Sequence, residues 1–120
     1  IPQEISYLSH FDANSSEEAT KTFVENYKAK FNGETPSQFA AAAYDCVYAL
    51  YEALNAAGKS KVSASMSAEE FCRVLKEQFD GSFTYSGVTG SNMKWTRGTS
   101  GAGYVEKTAT KFVVKEADNA

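Results

Sequence analysis

Thr35-Pro36-Ser37-Gln38-Phe39-Ala40-Ala41-Ala42-Ala43-Tyr44-Asp45-Cys46-Val47 carries the clearest folding instructions in the chain. Thr35 is a good N-cap, Pro36 suits the first helical position, where no amide hydrogen is missed, and Gln38 completes a capping box. The spacing predicts a helix from here to Gly58, a residue that ends helices readily. Phe39, Ala43, Cys46, Val47, Leu50, Leu54 and Ala57 recur along it as one apolar stripe. The run Ala40 to Ala43 removes bulk near the start, so another backbone or a ligand can come close; tight helix-to-sheet packing is the plainer account.

Upstream, Ile5 to Ser9 is short, rich in β-formers and partly alternating, which predicts a strand ending at His10-Phe11. Asp12 to Ser15 has turn composition. Ser15 and Glu18 have capping-box spacing and predict a helix carrying Ala19, Phe23, Val24, Tyr27 and Phe31 on one face, stopped by Asn32-Gly33. Downstream, Ser67 and Glu70 form a third capping box before Phe71, Val74, Leu75 and Phe79. Beyond Asp80 the texture becomes glycine-, serine- and threonine-rich. Short strands are expected at Ser82 to Tyr85, Asn92 to Thr96 and Lys111 to Val114, with a glycine-rich connection from Arg97 to Gly103 and a frayed tail from Glu116 to Ala120. There is no internal repeat.

This order is strand, three helices, then short strands. Such an α/β arrangement is awkward for a self-contained domain, because a lone strand followed by helices needs partner strands from elsewhere. The sequence reads as a piece of something larger. Its 120 residues nevertheless suffice for one structural unit, and a composition 42% hydrophobic and 22% charged is that of a chain that folds. Twelve basic residues scattered among fifteen acidic ones give a net charge of −3, with no cationic stripe for a phosphate backbone, so nucleic acid is not an expected partner. No apolar run approaches the roughly 18 residues of a membrane span, and Ile1-Pro2-Gln3-Glu4 has no signal-peptide character.

The segments Phe23-Val24-Glu25-Asn26-Tyr27-Lys28-Ala29-Lys30-Phe31, Pro36-Ser37-Gln38-Phe39-Ala40-Ala41 and Tyr44-Asp45-Cys46-Val47-Tyr48 occur in this order, followed by Phe71 to Leu75 and Gly87-Val88-Thr89-Gly90. Together they resemble the C-terminal part of the type I periplasmic solute-binding proteins of the leucine/isoleucine/valine-binding family. Its members have FxxxYKxKY, then PxxFAAxAYDAVxxLxxAL, AG, an xALK helix and GVTG before a strand. The resemblance covers nearly the whole chain. Arg97 to Gly103 departs from it by lacking the FDxxGD turn.

The resemblance implies a two-lobed α/β fold joined by three crossing segments, of which residues 1–120 would be the C-terminal fragment. Residues 1–96 would supply mainly first-lobe elements, beginning near the second crossing. Residues 97–120 would supply the third crossing and second-lobe strands. It also implies the substrate-binding component of an ABC importer, extracytoplasmic as a periplasmic protein or a cell-surface lipoprotein. Such a protein grips a small solute such as a branched-chain or other amino acid between its lobes and docks on a membrane permease. The alternative is a ligand-sensing domain of a receptor or regulator with the same fold. Phe39 aligns with an aromatic that lines the interlobe cleft. The fragment is expected to dimerise or to associate with the missing part.

Residue chemistry argues against catalysis. His10 is the single histidine, so no nucleophile has a second one as base, and an enzyme is not expected. His10 either lines the cleft beside the crossing segment or is a surface or hinge histidine. Asp45 is a ligand contact, a structural hydrogen bond or an exposed helical carboxylate. Trp95 and Tyr104 either stack on a ligand or pack a core. Cys46 and Cys72 read as small core residues, or as a disulfide suited to an oxidising compartment. Glu17-Glu18, Glu69-Glu70 and Asp118 have no oxygen-ligand loop pattern, and Gly87, Gly90 and Gly98 form no phosphate loop. No metal or other cofactor is expected.

Overall fold

The computed structural model describes residues 4–101 and 103–114; the expected tail at 116–120, Asp118 and the first three residues lie outside them. The architecture is mixed α/β, with three helices and three antiparallel strand pairs. Strand β1 is Ile5–Ser9, as its alternation predicts, and its last residue is buried. Ser9 ties the strand end both to the adjoining turn and to a distant helix start: its hydroxyl accepts from the Phe11 amide and donates to Gln38 Oε1, each at 3.2 Å.

Helix α1, Glu18–Lys30, begins three residues after the expected cap. The Asp12 turn is the reason: Ser15 donates its amide to the Asp12 carbonyl at 3.2 Å, and its hydroxyl accepts from the Glu17 amide at 3.2 Å instead of capping a helix. The stop is as expected. Asn32 and Gly33 take φ of 54° and 82°, and the Gly33 amide closes on the Lys28 carbonyl at 2.8 Å. Helix α2, Gln38–Ala57, is capped by Ser37, whose hydroxyl accepts from the Ala40 amide at 3.2 Å. Thr35 is therefore not the cap, because Gln38 is engaged with Ser9 and does not reach back to it. Gly58, at φ 95°, ends α2. Helix α3, Ala68–Asp80, has the complete Ser67–Glu70 capping box.

The strands after α3 depart furthest from expectation. Strand β2 (Tyr85–Gly87) pairs with β3 (Gly90–Met93), so Ser82 to Thr84 are not strand. Asn92 to Thr96 is two strands, because Asn92 has φ 50° and the chain breaks at Lys94, whose carbonyl accepts from the Glu106 amide at 2.8 Å. Strand β4 (Trp95–Arg97) turns back on β5 (Gly103–Val105), a pairing absent from the sequence-based expectation. Where the resemblance places a crossing, the chain thus makes a hairpin. Strand β6 (Thr110–Val114) then lies antiparallel to β1, with Tyr7 stacked on Phe112 at 5.4 Å.

Burial is thin for a chain of this length. One small core joins Phe11, Phe23, Val24 and Ala41, with Phe11 edge-on to Phe23 at 5.8 Å. An aromatic group of Phe79, Phe83 and Trp95 joins α3 to β4, with ring centroids 4.7–5.9 Å apart. Among the described residues no large side chain is fully buried. The accessible surface is 9030 Å², whereas a compact 13.0 kDa protein exposes about 6,300 Å². The radius of gyration is 18.2 Å, against about 14 Å for a compact chain of this length. Among the described residues no helix is long and apolar enough to cross a membrane.

Helix α2 concentrates the exposure. It buries Ala41, Asp45, Ala49 and Ala53, one line at a spacing of four, with Ala41 in the Phe11–Phe23–Val24 core and the helix packed on β2 and α3. The predicted stripe faces out, with Phe39 77%, Val47 66% and Leu50 45% exposed. Tyr44, Tyr48 and Tyr51 occupy a third side, also exposed. Only Asp45 and Glu52 are charged in this helix, which makes it apolar around most of its circumference, the pattern of a helix covered on several sides.

Candidate functional site

The small-residue line of α2 lets the β2–β3 turn approach closely, and Asp45 stands in that line. Its carboxylate holds the Gly87-Val88-Thr89-Gly90 turn. The Val88 amide donates to Oδ1 at 2.9 Å, the Thr89 amide donates to Oδ2 at 2.8 Å, and the Thr89 hydroxyl also donates to Oδ2. The Lys107 ammonium donates to Thr89 Oγ1 from the far side, bringing the β5–β6 connection into the same network. Asp45 and Thr89 are 4% and 2% exposed, so these bonds replace hydration that both groups have lost. Gly87 is required by contact: a Cβ there would collide with the Asp45 carboxylate and the Tyr85 ring. Burial, then the Asp45 charge, pushes the Tyr85 phenol up to about 12. Asp45 is therefore the structural hydrogen-bonding group among its three sequence readings.

The clamped turn forms one wall of a polar hollow of about 260 Å³. His10, Asp12 and Glu17 supply its ionisable groups, and Ser15, Thr20, Thr89, Ser91, Thr108 and Thr110 its hydroxyls. His10 reaches it because β1 ends at Ser9, beside the start of β6. A second hollow of about 330 Å³ shares Asp12 and is walled by Tyr7, Phe11, Pro36, Gln38 and Phe112. Phe39 lines neither, although its neighbour Gln38 lines the second. The structure brings His10 to a cavity and leaves Phe39 on the open face of α2.

Trp95 packs on Phe79 and Phe83, the core reading, while Tyr104 is 53% exposed. Cys46 and Cys72 are exposed free thiols, which corrects both the buried and the disulfide reading; Cys46 stands on α2 facing the hairpins, and Cys72 is on α3. Among the described residues no group of acidic, histidine and cysteine side chains is arranged to hold a metal. Asp80 ties the end of α3 to β4. Arg97 reaches its two oxygens at 2.7 and 3.2 Å and Lys76 reaches one at 2.6 Å, and these bonds, Arg97 first, hold the carboxyl down at about 2.

The Asp45 clamp is the feature that sequence reasoning undervalued. One signal for it was present: a charged residue interrupting an otherwise small-residue line at a spacing of four. No family model, curated protein or solved structure matches the chain.

Proposed function

We propose that this chain is the C-terminal portion of a two-lobed solute-binding protein of the type I periplasmic class, acting outside the cytoplasm and delivering a small polar solute to a membrane permease. The observation that carries the reading is the uncovered apolar surface of α2. A helix apolar around most of its girth belongs between layers, and the apolar side of α2 lies open. The chain's surface also exceeds that of a compact protein of this mass by about 2,700 Å². Capture, and not catalysis, fits the residues of the hollow. Asp12 and Glu17 suit an ammonium group, while His10 and the threonine hydroxyls suit a carboxylate or hydroxyl, the features of an amino acid.

Isothermal titration of the full-length polypeptide carrying this chain, against the common amino acids and a panel of polar metabolites, tests the proposal. Saturable heat with a subset of amino acids is the expected result, weakened by His10→Ala. Absence of heat with every member overturns the amino-acid assignment.

A further inference from the structure

On the opposite side of the Asp45–Thr89 clamp lies a cavity of different character. Its volume is about 260 Å³, and a cavity of ~150 Å³ already accepts benzene. The walls come from α2 and from all four strands of the two hairpins: Ala42, Cys46 and Ala49 on one side, Met93, Trp95 and Val105 on the other. These groups are apolar. Among the wall residues is Lys107, whose ammonium donates one hydrogen to Thr89 Oγ1 and, among the described residues, has no carboxylate within ion-pair distance. The other charged wall residue, Asp45, has both oxygens occupied by the Val88 and Thr89 donors.

An apolar chamber with one cation in its wall selects by two terms. Burial favours a compact hydrocarbon body, and the ammonium favours a ligand that carries an anionic group at one end. We infer that this cavity binds a small apolar carboxylate, an arylacetate or a short branched fatty acid, with its carboxylate on Lys107 and its body against Trp95 and Met93. The site is separate from the polar hollow and is built wholly from described residues, so it does not rest on the transport reading.

Trp95 is the sole tryptophan and lines the chamber, which makes its emission a direct reporter. The 120-residue chain is titrated with phenylacetate and with phenylacetamide. Phenylacetate is expected to shift the emission saturably and to bind about tenfold tighter than the neutral amide. Lys107→Met removes that tenfold preference and leaves the amide's affinity unchanged. Ala42→Phe fills the chamber and abolishes both responses. Should Ala42→Phe fail to fold, alkylation of Cys46 in the Cys72→Ser chain replaces it, since bound phenylacetate slows the reaction at the chamber wall. No saturable response to phenylacetate, equal affinity for acid and amide, an unaltered preference in Lys107→Met, or unchanged Cys46 alkylation overturns the inference.

Discussion

Replacing Asp45 by alanine removes the acceptor for three hydrogen bonds while leaving their donors in place. Two of those donors are backbone amides of a turn packed against α2, and each buried donor left without a partner costs about 1–3 kcal/mol. Alanine's better helix propensity returns only about 0.5 kcal/mol. Asp45→Ala should therefore destabilise the chain by about 3 kcal/mol, a large share of what so open a structure can possess. Asp45→Asn keeps one oxygen able to accept and should cost about half as much. Urea unfolding followed by circular dichroism and Trp95 emission gives the totals. Hydrogen exchange at the Val88 and Thr89 amides locates the effect, with both exchanging much faster in Asp45→Ala. An Asp45→Ala midpoint matching the unaltered chain, with unchanged exchange at both amides, would refute the reasoning.

The Asp80 carboxyl sits near 2 instead of its ordinary 3.8, so its ion pair with Arg97 contributes in full above about pH 4 and is lost as pH falls toward 2. Urea midpoints for the chain and for Arg97→Gln should accordingly differ at pH 5 and draw together as pH falls through 2; a constant gap would contradict this. Ser67→Ala removes the cap of α3, in which the Glu70 amide donates to Ser67 Oγ at 3.1 Å, and should cost about 1 kcal/mol in the same urea assay. Val47→Asp, at a side chain 66% exposed, should leave monomer stability within about 0.5 kcal/mol. The same change should reduce the self-association that sedimentation velocity is expected to show for the unaltered chain at micromolar concentration.

What was legible in the sequence was local chemistry. The Ser67–Glu70 box, the left-handed stop at Asn32-Gly33 and the end of α2 at Gly58 each depend on residues within one turn of one another, and each stands where the residues place it. Ser15 and Thr35 failed for a related reason. Each had cap-forming spacing, but Ser15 was taken by the Asp12 turn and Gln38, the partner of Thr35, by Ser9, a residue 29 positions away. The apolar stripe of α2 was located correctly and stands exposed, as a stripe without its partner strands should, although periodicity shows that a face is apolar without showing what covers it. The clamp joins Asp45 to residues 43 and 44 positions later, a separation at which no local pattern reports contact. Strand β5 escaped notice because Gly103-Tyr104-Val105 is too short to show a period. His10 reached a cavity as one of its readings allowed, through the pairing of β1 with β6 that brings Thr110 opposite Ser9.

A thiol placed at Val47 offers the most direct measurement of whether α2 was built to be covered, because that side chain is 66% exposed on the helix's open apolar side. With Cys46→Ser and Cys72→Ser, Val47→Cys is the single thiol of the chain. Its rate of reaction with a maleimide is compared between this chain, at concentrations low enough to keep it monomeric, and the longer polypeptide that the proposed function requires. Rapid labelling in the first and strong protection in the second is the predicted outcome. Equal rates in both would mean that no further layer closes over α2, and the two-lobed account would fail.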